Sequence, residues 1–360
     1  MSTVLEPAAR DAARAGMLVV RVPRVGWSAR VDRRAVLVTI VLVAVALGVF
    51  AWSLTVGDYS IALRDVVRIL LGRGEGGPAY VVRELRLPRG LTALLVGAAF
   101  GLAGAIFQRL AHNPLASPDI IGINAGASAA AAFAIIVLDL AGTAVTAAAL
   151  VGAALAATAM FLLAYTRGVA GYRLVLVGIG VHAVLTAATQ YLMSRARITE
   201  AQQALVWLTG SLNARSWDHV RPVAWALAVL VPLALGLARQ IRVLELGDDT
   251  ARALGARVDA ARGGLFAVGV VLTAIATAST GPIGFVALVA PQIARRLVGG
   301  RVVALVPAAA VGAALVVASD LIGRRLLAPT ELPVGVVTSV LGAPYLLYLL
   351  ARANRIGRGG

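Results

Sequence analysis

Lysine and cysteine are both missing from this chain of 360 residues. Without cysteine there is no disulfide, no thiol nucleophile and no thiolate metal site. Without lysine the phosphate-binding loop GxxxxGK[ST] cannot be written, and Schiff-base chemistry through a side-chain amine is excluded. The gap itself reads as base-composition bias in the gene. Charge is scarce altogether: charged residues make up 14% of the chain, against roughly a quarter in soluble domains. Only three histidines occur, His112, His182 and His219. They form no HExxH pair and no other local metal-ligand spacing, and no serine or carboxylate pair falls into a catalytic frame. An enzyme is not expected.

What is present is apolar. Hydrophobic residues make up 60% of the chain, with a mean hydropathy of +0.88. They cluster into runs that a water-soluble core could not absorb, so an all-α integral membrane protein is the expected fold class. A bilayer core of about 30 Å needs about 20 helical residues. Ten candidate spans qualify: 35–54, 91–110, 120–138, 144–165, 174–193, 223–237, 265–279, 283–297, 302–322 and 334–350. The pair meeting at Thr280-Gly281-Pro282-Ile283-Gly284 is alternatively one broken helix. The first run is too long for a signal peptide and shows no small-residue cleavage site after it.

All 33 basic residues are arginine. They lie in short clusters between apolar runs, with none of the aromatic interleaving of a nucleic-acid surface. With the N-terminus inside, 21 of them fall on inner segments and 12 on outer ones, which predicts cytoplasmic termini by the positive-inside rule. The expected organisation is a mobile cytoplasmic tail over 1–34, a transmembrane domain over 35–351 and a short cytoplasmic tail over 352–360. His182 inside the fifth span, with Asp139 and Asp320 near span ends, are the few intramembrane ionisable groups. His182 reads as a hydrogen-bonded interior residue. This poverty argues against ion-coupled transport, which needs buried carboxylates or cation cages.

The connections carry more information than the spans. Arg86-Leu87-Pro88-Arg89 precedes the second span on the outer side. After that span, Pro114 stops the helix; Ser117 reads as an N-cap, Pro118 as the first helical residue, and Asp119 faces the positive helix end. The longest internal cytoplasmic segment is 239–263. Within it, Asp248 reads as the cap of a short helix, Ala251 and Leu254 as its apolar face, and Gly255 as its end. That face is too small to hold a lipid surface, so it points to a partner protein.

At this point the chain resembles the FecCD family of ABC-importer permeases, which carry iron-siderophore, haem and cobalamin complexes. Five ordered motifs carry the resemblance from about Tyr59 onward: RLPR at 86–89, NPLASPDIIGINAGA at 113–127, LELGDDTARALG at 244–255, GPIGFVALVAPQIAR at 281–295 and ELPVGVVTSVLGAP at 331–344. Gln292 departs from the histidine common in the family after Pro291. The resemblance implies a cobalamin-importer-like bundle of about ten helices in the cytoplasmic membrane. It also implies a second permease subunit, two ATPase subunits that use ATP and Mg²⁺, and an external binding protein delivering a ferric siderophore. The chain itself would bind no cofactor. Gly247, Asp248, Asp249, Thr250, Ala251, Arg252, Ala253, Leu254 and Gly255 would couple to the ATPase. Arg86, Arg89 and Arg324 would dock the binding protein, ordinary interfacial snorkelling being the alternative. Asn113, Leu115, Ala170, Gly171 and Tyr172 would form the cytoplasmic gate. The stretch 206–212 resembles members that pair with a different permease, so a heterodimer is expected, with a homodimer as the alternative. Haem or cobalamin cargo, and an ion-coupled secondary transporter, are the rival functions.

Overall fold

The computed structural model describes residues 17–22, 27–165, 171–245, 247–299 and 303–356. Among these, the strands form a single hairpin in which β1 (Met17–Val22) pairs antiparallel with β2 (Trp27–Asp32). It falls in the segment expected as a tail. Val19, Val20, Val22 and Val31 are β-branched and favour an extended pair, a local preference that a search for long apolar runs passes over.

The helices are α1 (Arg33–Thr55), α2 (Leu63–Leu70), α3 (Gly76–Tyr80), α4 (Leu87–Leu110), α5 (Pro118–Ile121), α6 (Ile123–Ile136), α7 (Thr143–Ala164) and α8 (Gly171–Arg195). They continue with α9 (Ile198–Leu208), α10 (Trp217–Leu244), α11 (Asp248–Ala253), α12 (Val258–Thr280), α13 (Val286–Val298), α14 (Leu305–Arg325) and α15 (Val334–Ile356). A π-helical segment, Val81–Arg86, joins α3 to α4. Each of the ten apolar runs falls on a helix, namely α1, α4, α6, α7, α8, α10, α12, α13, α14 and α15. Among the described residues, seven helices are long and apolar enough to cross a membrane.

Two boundaries differ from expectation for local reasons, and a third, the break after Thr280, falls as the ten-span count has it. The run at 120–138 is broken at Gly122, whose φ of 97° suits glycine and ends a four-residue α5. The interrupted pair after Thr280 is two helices, separated by Gly281 at φ 76° and Phe285 at φ 67°. The helix carrying the second span starts well before Leu91, because α3, the π segment and α4 form one stretch from Gly76 to Leu110. Arg86 and Arg89 therefore lie on a helix and not in a loop ahead of one.

Capping sets the entry of α1: the Asp32 carboxylate accepts from the Arg34 amide at 2.8 Å and the Ala35 amide at 3.2 Å. Beyond its far end, α2 is amphipathic. It buries Val66 and Ile69 against Leu54, Ile61, Ala79 and Val82, a small satellite core at the outer end.

The bundle is built around α4, where 78% of the apolar window is buried, whereas α1 at the periphery buries 6%. Small residues explain the difference. A Cβ on Gly97 would run into the Gly312 carbonyl of α14, and a Cβ on Gly312 into the Gly97 carbonyl. The two backbones touch directly, which is how helices associate where lipid removes the hydrophobic drive. The broad exposed faces of α1, α8 and α15, including Leu37, Leu176 and Val340, are apolar as lipid or a second subunit requires.

Where helices stop within the bundle, backbone groups still need partners. At the junction of 207–211, 280–284 and 333–335, the Ser211 amide donates to the Thr280 carbonyl at 2.8 Å and the Gly335 amide to the Gly210 carbonyl at 3.1 Å.

Candidate functional site

The arginine asymmetry predicts that the end carrying Leu110, Leu244 and Val258 faces inside, and the two ends of the bundle are named inner and outer from that expectation.

At the inner end the α4–α5 connection is a hydrogen-bonded turn. The Asn113 side-chain oxygen accepts from the Leu115 amide at 2.9 Å, the Asn113 amide donates to the Gln108 carbonyl at 3.1 Å, and Ser117 Oγ accepts from the Ile120 amide at 3.4 Å. Ser117 is the expected cap, and Pro118 is the first residue of α5. The turn is gripped from α13: Gln292 Nε2 donates to the Pro114 carbonyl at 3.1 Å and to Gln108 Oε1. Gln108 Nε2 in turn donates to the Leu288 carbonyl at 2.9 Å. Gln292, whose departure from the family residue put its role in doubt, is buried and central to this contact. Arg295 Nη2 donates to Gln292 Oε1 at 3.1 Å, and Arg109 pairs with Glu245. Gln108, Arg109, Glu245 and Arg295 line a cavity of about 220 Å³ with His112, Asn113, Pro114 and Pro291 among its walls.

Of the expected gate residues, Asn113 and Leu115 share this turn and are half-buried. Gly171 and Tyr172 open α8, and Ala170 lies outside the described residues. His182 corrects the sequence reading. It is half-buried on α8, and its Nδ1 has no hydrogen-bond partner within the chain among the described residues. Asp119 accepts from the Asn124 side chain, whose oxygen accepts from Thr277 Oγ1 at 2.7 Å, tying α5 and α6 to α12.

The expected coupling segment is α11, flanked by Gly247 at φ 92° and Gly255 at φ 80°. Gly247 occupies the cap position and Asp248 is the first helical residue, so the expected Asp248 cap is displaced by one. The expected apolar face is also split. Ala251 is 0% exposed and packs inward, while Leu254 is 64% exposed, since Leu254 sits beyond the last helical residue. Thr250, Arg252 and Ala253 are exposed, and Asp249 lies within the helix.

At the outer end the three expected docking arginines each bind within the chain. Arg86 Nη1 donates to the Leu54 carbonyl at 2.8 Å and Nη2 to the Tyr59 carbonyl. Arg89 binds Asp320 through Nε at 3.0 Å and Nη2 at 2.9 Å, and Glu331 through Nη1 at 3.0 Å. Arg324 Nε lies 3.1 Å from the other oxygen of Asp320. Asp320 is 3% exposed, so two guanidiniums enclose one buried carboxylate. Sequence reading found the arginines and missed Asp320 and Glu331 as partners, since they lie more than 200 residues away from Arg89.

A second cavity, about 710 Å³ and at the outer end, lies between α6, α7, α9, α10 and α12. Arg215 lines it, donating to the Ser211 carbonyl at 3.1 Å and lying 3.0 Å from His219 Nε2. Burial holds the Arg215 guanidinium below its usual pKa. Among the described residues, no group of three or more His, Asp or Glu is placed to hold a metal ion.

Comparison with known proteins agrees with this architecture. The FecCD transport family matches residues 39–352, a span that starts upstream of the Tyr59 limit seen from the motifs. The ferric enterobactin transport system permease protein FepG of Escherichia coli is 42% identical over 90% of this chain and 98% of its own length. The achromobactin permease CbrC of Dickeya dadantii is 42% identical over 94% and 98%. The iron(3+)-hydroxamate permease FhuG of Bacillus subtilis is 40% identical over 88% and 96%. Among solved structures, an inward-facing metal-chelate type ABC transporter superposes with a TM-score of 0.76 at 25% identity, covering 88% of this chain and 99% of that one. With the ordered motifs, the enclosed α4 and the family match over most of its length, the chain belongs to the FecCD transport family.

Proposed function

We propose that this chain is the membrane permease subunit of an ATP-driven importer and passes a ferric siderophore inward across the cytoplasmic membrane by alternating access. The observation that carries the ATP-driven part is α11. It is a six-residue helix at the inner end that anchors through Ala251 and leaves Thr250, Arg252, Ala253 and Leu254 exposed. A short helix with an unsatisfied apolar residue suits insertion into a cleft of a partner protein. The chain cannot carry a lysine-containing phosphate loop, so ATP and Mg²⁺ belong to two partner ATPase subunits. Cargo identity is supported by the siderophore relatives. A chelate arrives with its own metal ligands, so a pathway lined by small and apolar residues suffices.

In this reading a second permease subunit, a related but different chain, completes the pathway. Asn113 and Leu115 with the start of α8 close it on the inside. An external binding protein docks at the outer end through Arg86, Arg89 and Arg324. Docking there requires the incoming carboxylates to share guanidiniums that already have partners in the chain.

The test is uptake of ferric catecholate chelates into proteoliposomes holding the whole assembly, with ATP inside and the binding protein outside. Uptake that stops with vanadate and survives collapse of ion gradients is expected. Uptake that follows the ion gradient and ignores vanadate would overturn the reading in favour of a secondary transporter. Uptake of haem or cobalamin but not of iron chelates would overturn the cargo alone.

A further inference from the structure

An importer of this kind needs a path from α11, where the ATPases act, to the turn at 111–117. We infer that the Arg109–Glu245 ion pair is that path, a positioning contact that transmits displacement of the α11 segment to the inner turn. This inference rests on the importer reading above.

Glu245 caps the end of α10, two residues before Gly247, so it stands at the root of α11. Its Oε1 meets Nη1 of Arg109. Arg109 is in the last turn of α4, and the turn is bonded to it and to its neighbour. The His112 amide donates to the Arg109 carbonyl at 3.3 Å and the Asn113 amide to the Gln108 carbonyl at 3.1 Å. On the other side Gln292 holds the Pro114 carbonyl. A pull on Glu245 is therefore delivered to a short segment already clamped at both ends. Gly247 lies just ahead of α11 at φ 92°, where the chain changes direction, and a side-chain tie at Glu245 gives motion of α11 a direct route into α4.

The electrostatics give the pair weight. Glu245 is the one carboxylate among the described residues lining the inner cavity, which also presents Arg109 and Arg295. Removing it leaves two guanidiniums facing one small cavity. The side chains of Arg109 and Glu245 are 21% and 33% exposed, so salt screens the contact less than a surface pair. A discrete ion pair that is either made or broken is the sort of element through which two sites bias each other.

The experiment measures chelate uptake and ATP hydrolysis in parallel on the whole reconstituted importer. Arg109→Glu and Glu245→Arg are compared with the exchanged pair R109E/E245R. Each single variant is expected to lower chelate taken up per ATP roughly tenfold, and the exchange to restore most of it, since contacting residues couple on that scale. A contact that only holds the fold would move the melting temperature and leave the uptake-to-hydrolysis ratio unchanged. Where a reversal does not assemble, Glu245→Gln keeps size and Arg109→Gln keeps helical preference, and both are expected to show the same loss. Normal ratios in the singles, or no recovery in the exchange, overturn the inference. Failure of the importer reading shows separately, as uptake by the assembly with the unaltered chain that ignores vanadate and follows the ion gradient.

Discussion

Arg89 reaches Asp320 with two nitrogens of its guanidinium, at 3.0 Å and 2.9 Å, and uses the third on Glu331. Asp320 is buried, and Arg324 Nε lies 3.1 Å from its second oxygen as an ion-pair neighbour without making a hydrogen bond. The outer ends of α4 and α14 and the segment just ahead of α15 are thus joined through the Arg89 guanidinium.

The energetics of that cluster are asymmetric. Asp320→Ala takes from two guanidiniums the buried carboxylate they share, leaving Arg89 only Glu331, and is expected to cost about 3–5 kcal/mol, as breaking buried pairs does. Glu331, whose side chain is 38% exposed, should cost about 1 kcal/mol or less on truncation. Melting curves of the purified chain in detergent distinguish the two. Equal losses would mean that Asp320 is not the centre of the cluster.

The same cluster sets how docking is to be tested. Arg89→Glu places three carboxylates together, so loss of folded chain should accompany any loss of binding-protein capture. Arg86→Glu removes a guanidinium that binds only carbonyls among the described contacts. It is expected to weaken capture by liposomes with a smaller drop in melting temperature. Unchanged capture with Arg86→Glu in a folded chain would count against docking there.

Helix contact between α4 and α14 admits no side chain at its centre. Gly97→Leu or Gly312→Val must push the backbones apart, and overpacking of this kind costs about 1–3 kcal/mol or more. Fluorescence-detected size exclusion should show aggregated or absent protein, whereas Gly236→Ala, where an added Cβ meets nothing within 4 Å, should elute normally.

At the inner turn, Gln292→Ala removes donors from the Pro114 carbonyl and Gln108 and an acceptor from Arg295. Leaving buried polar groups unpaired costs about 1–3 kcal/mol. Because Gln108 and Gln292 share one network, the double alanine variant should lose less than the sum of the singles. Strict additivity in thermal melts would show that the two amides act independently.

Just past the end of α11, Leu254→Asp should leave the isolated chain within about 0.5 kcal/mol of its original stability, as exposed substitutions do. It should abolish co-purification with the ATPase subunits. Ala251→Leu, at a fully buried position, should behave in the opposite way and destabilise the chain itself.

Much of this was legible in the residue order. The ten apolar runs marked the helices because a bilayer imposes a length and a polarity that need no tertiary information. Ser117 and Pro118 marked the start of α5 because capping is a local hydrogen-bond problem. The ordered motifs carried the family. Local breaks were harder to see: Gly122 ends α5 through a positive φ, and glycine is too common in this chain for its presence to signal such a turn.

The sequence by itself determined that the chain is membrane-embedded, helical, lysine-free and therefore without a P-loop, with its distinctive polar residues in the connections. Only the tertiary structure decided what those residues hold. Arg89 and Asp320 stand 231 positions apart, and Gln108 and Gln292 stand 184 apart. Hydropathy and periodicity report the surroundings of a residue along the chain, whereas a charge or an amide in a low-dielectric bundle is satisfied by whichever helix packing brings beside it. Arginines that read as free for a partner outside the protein were therefore found bound within it.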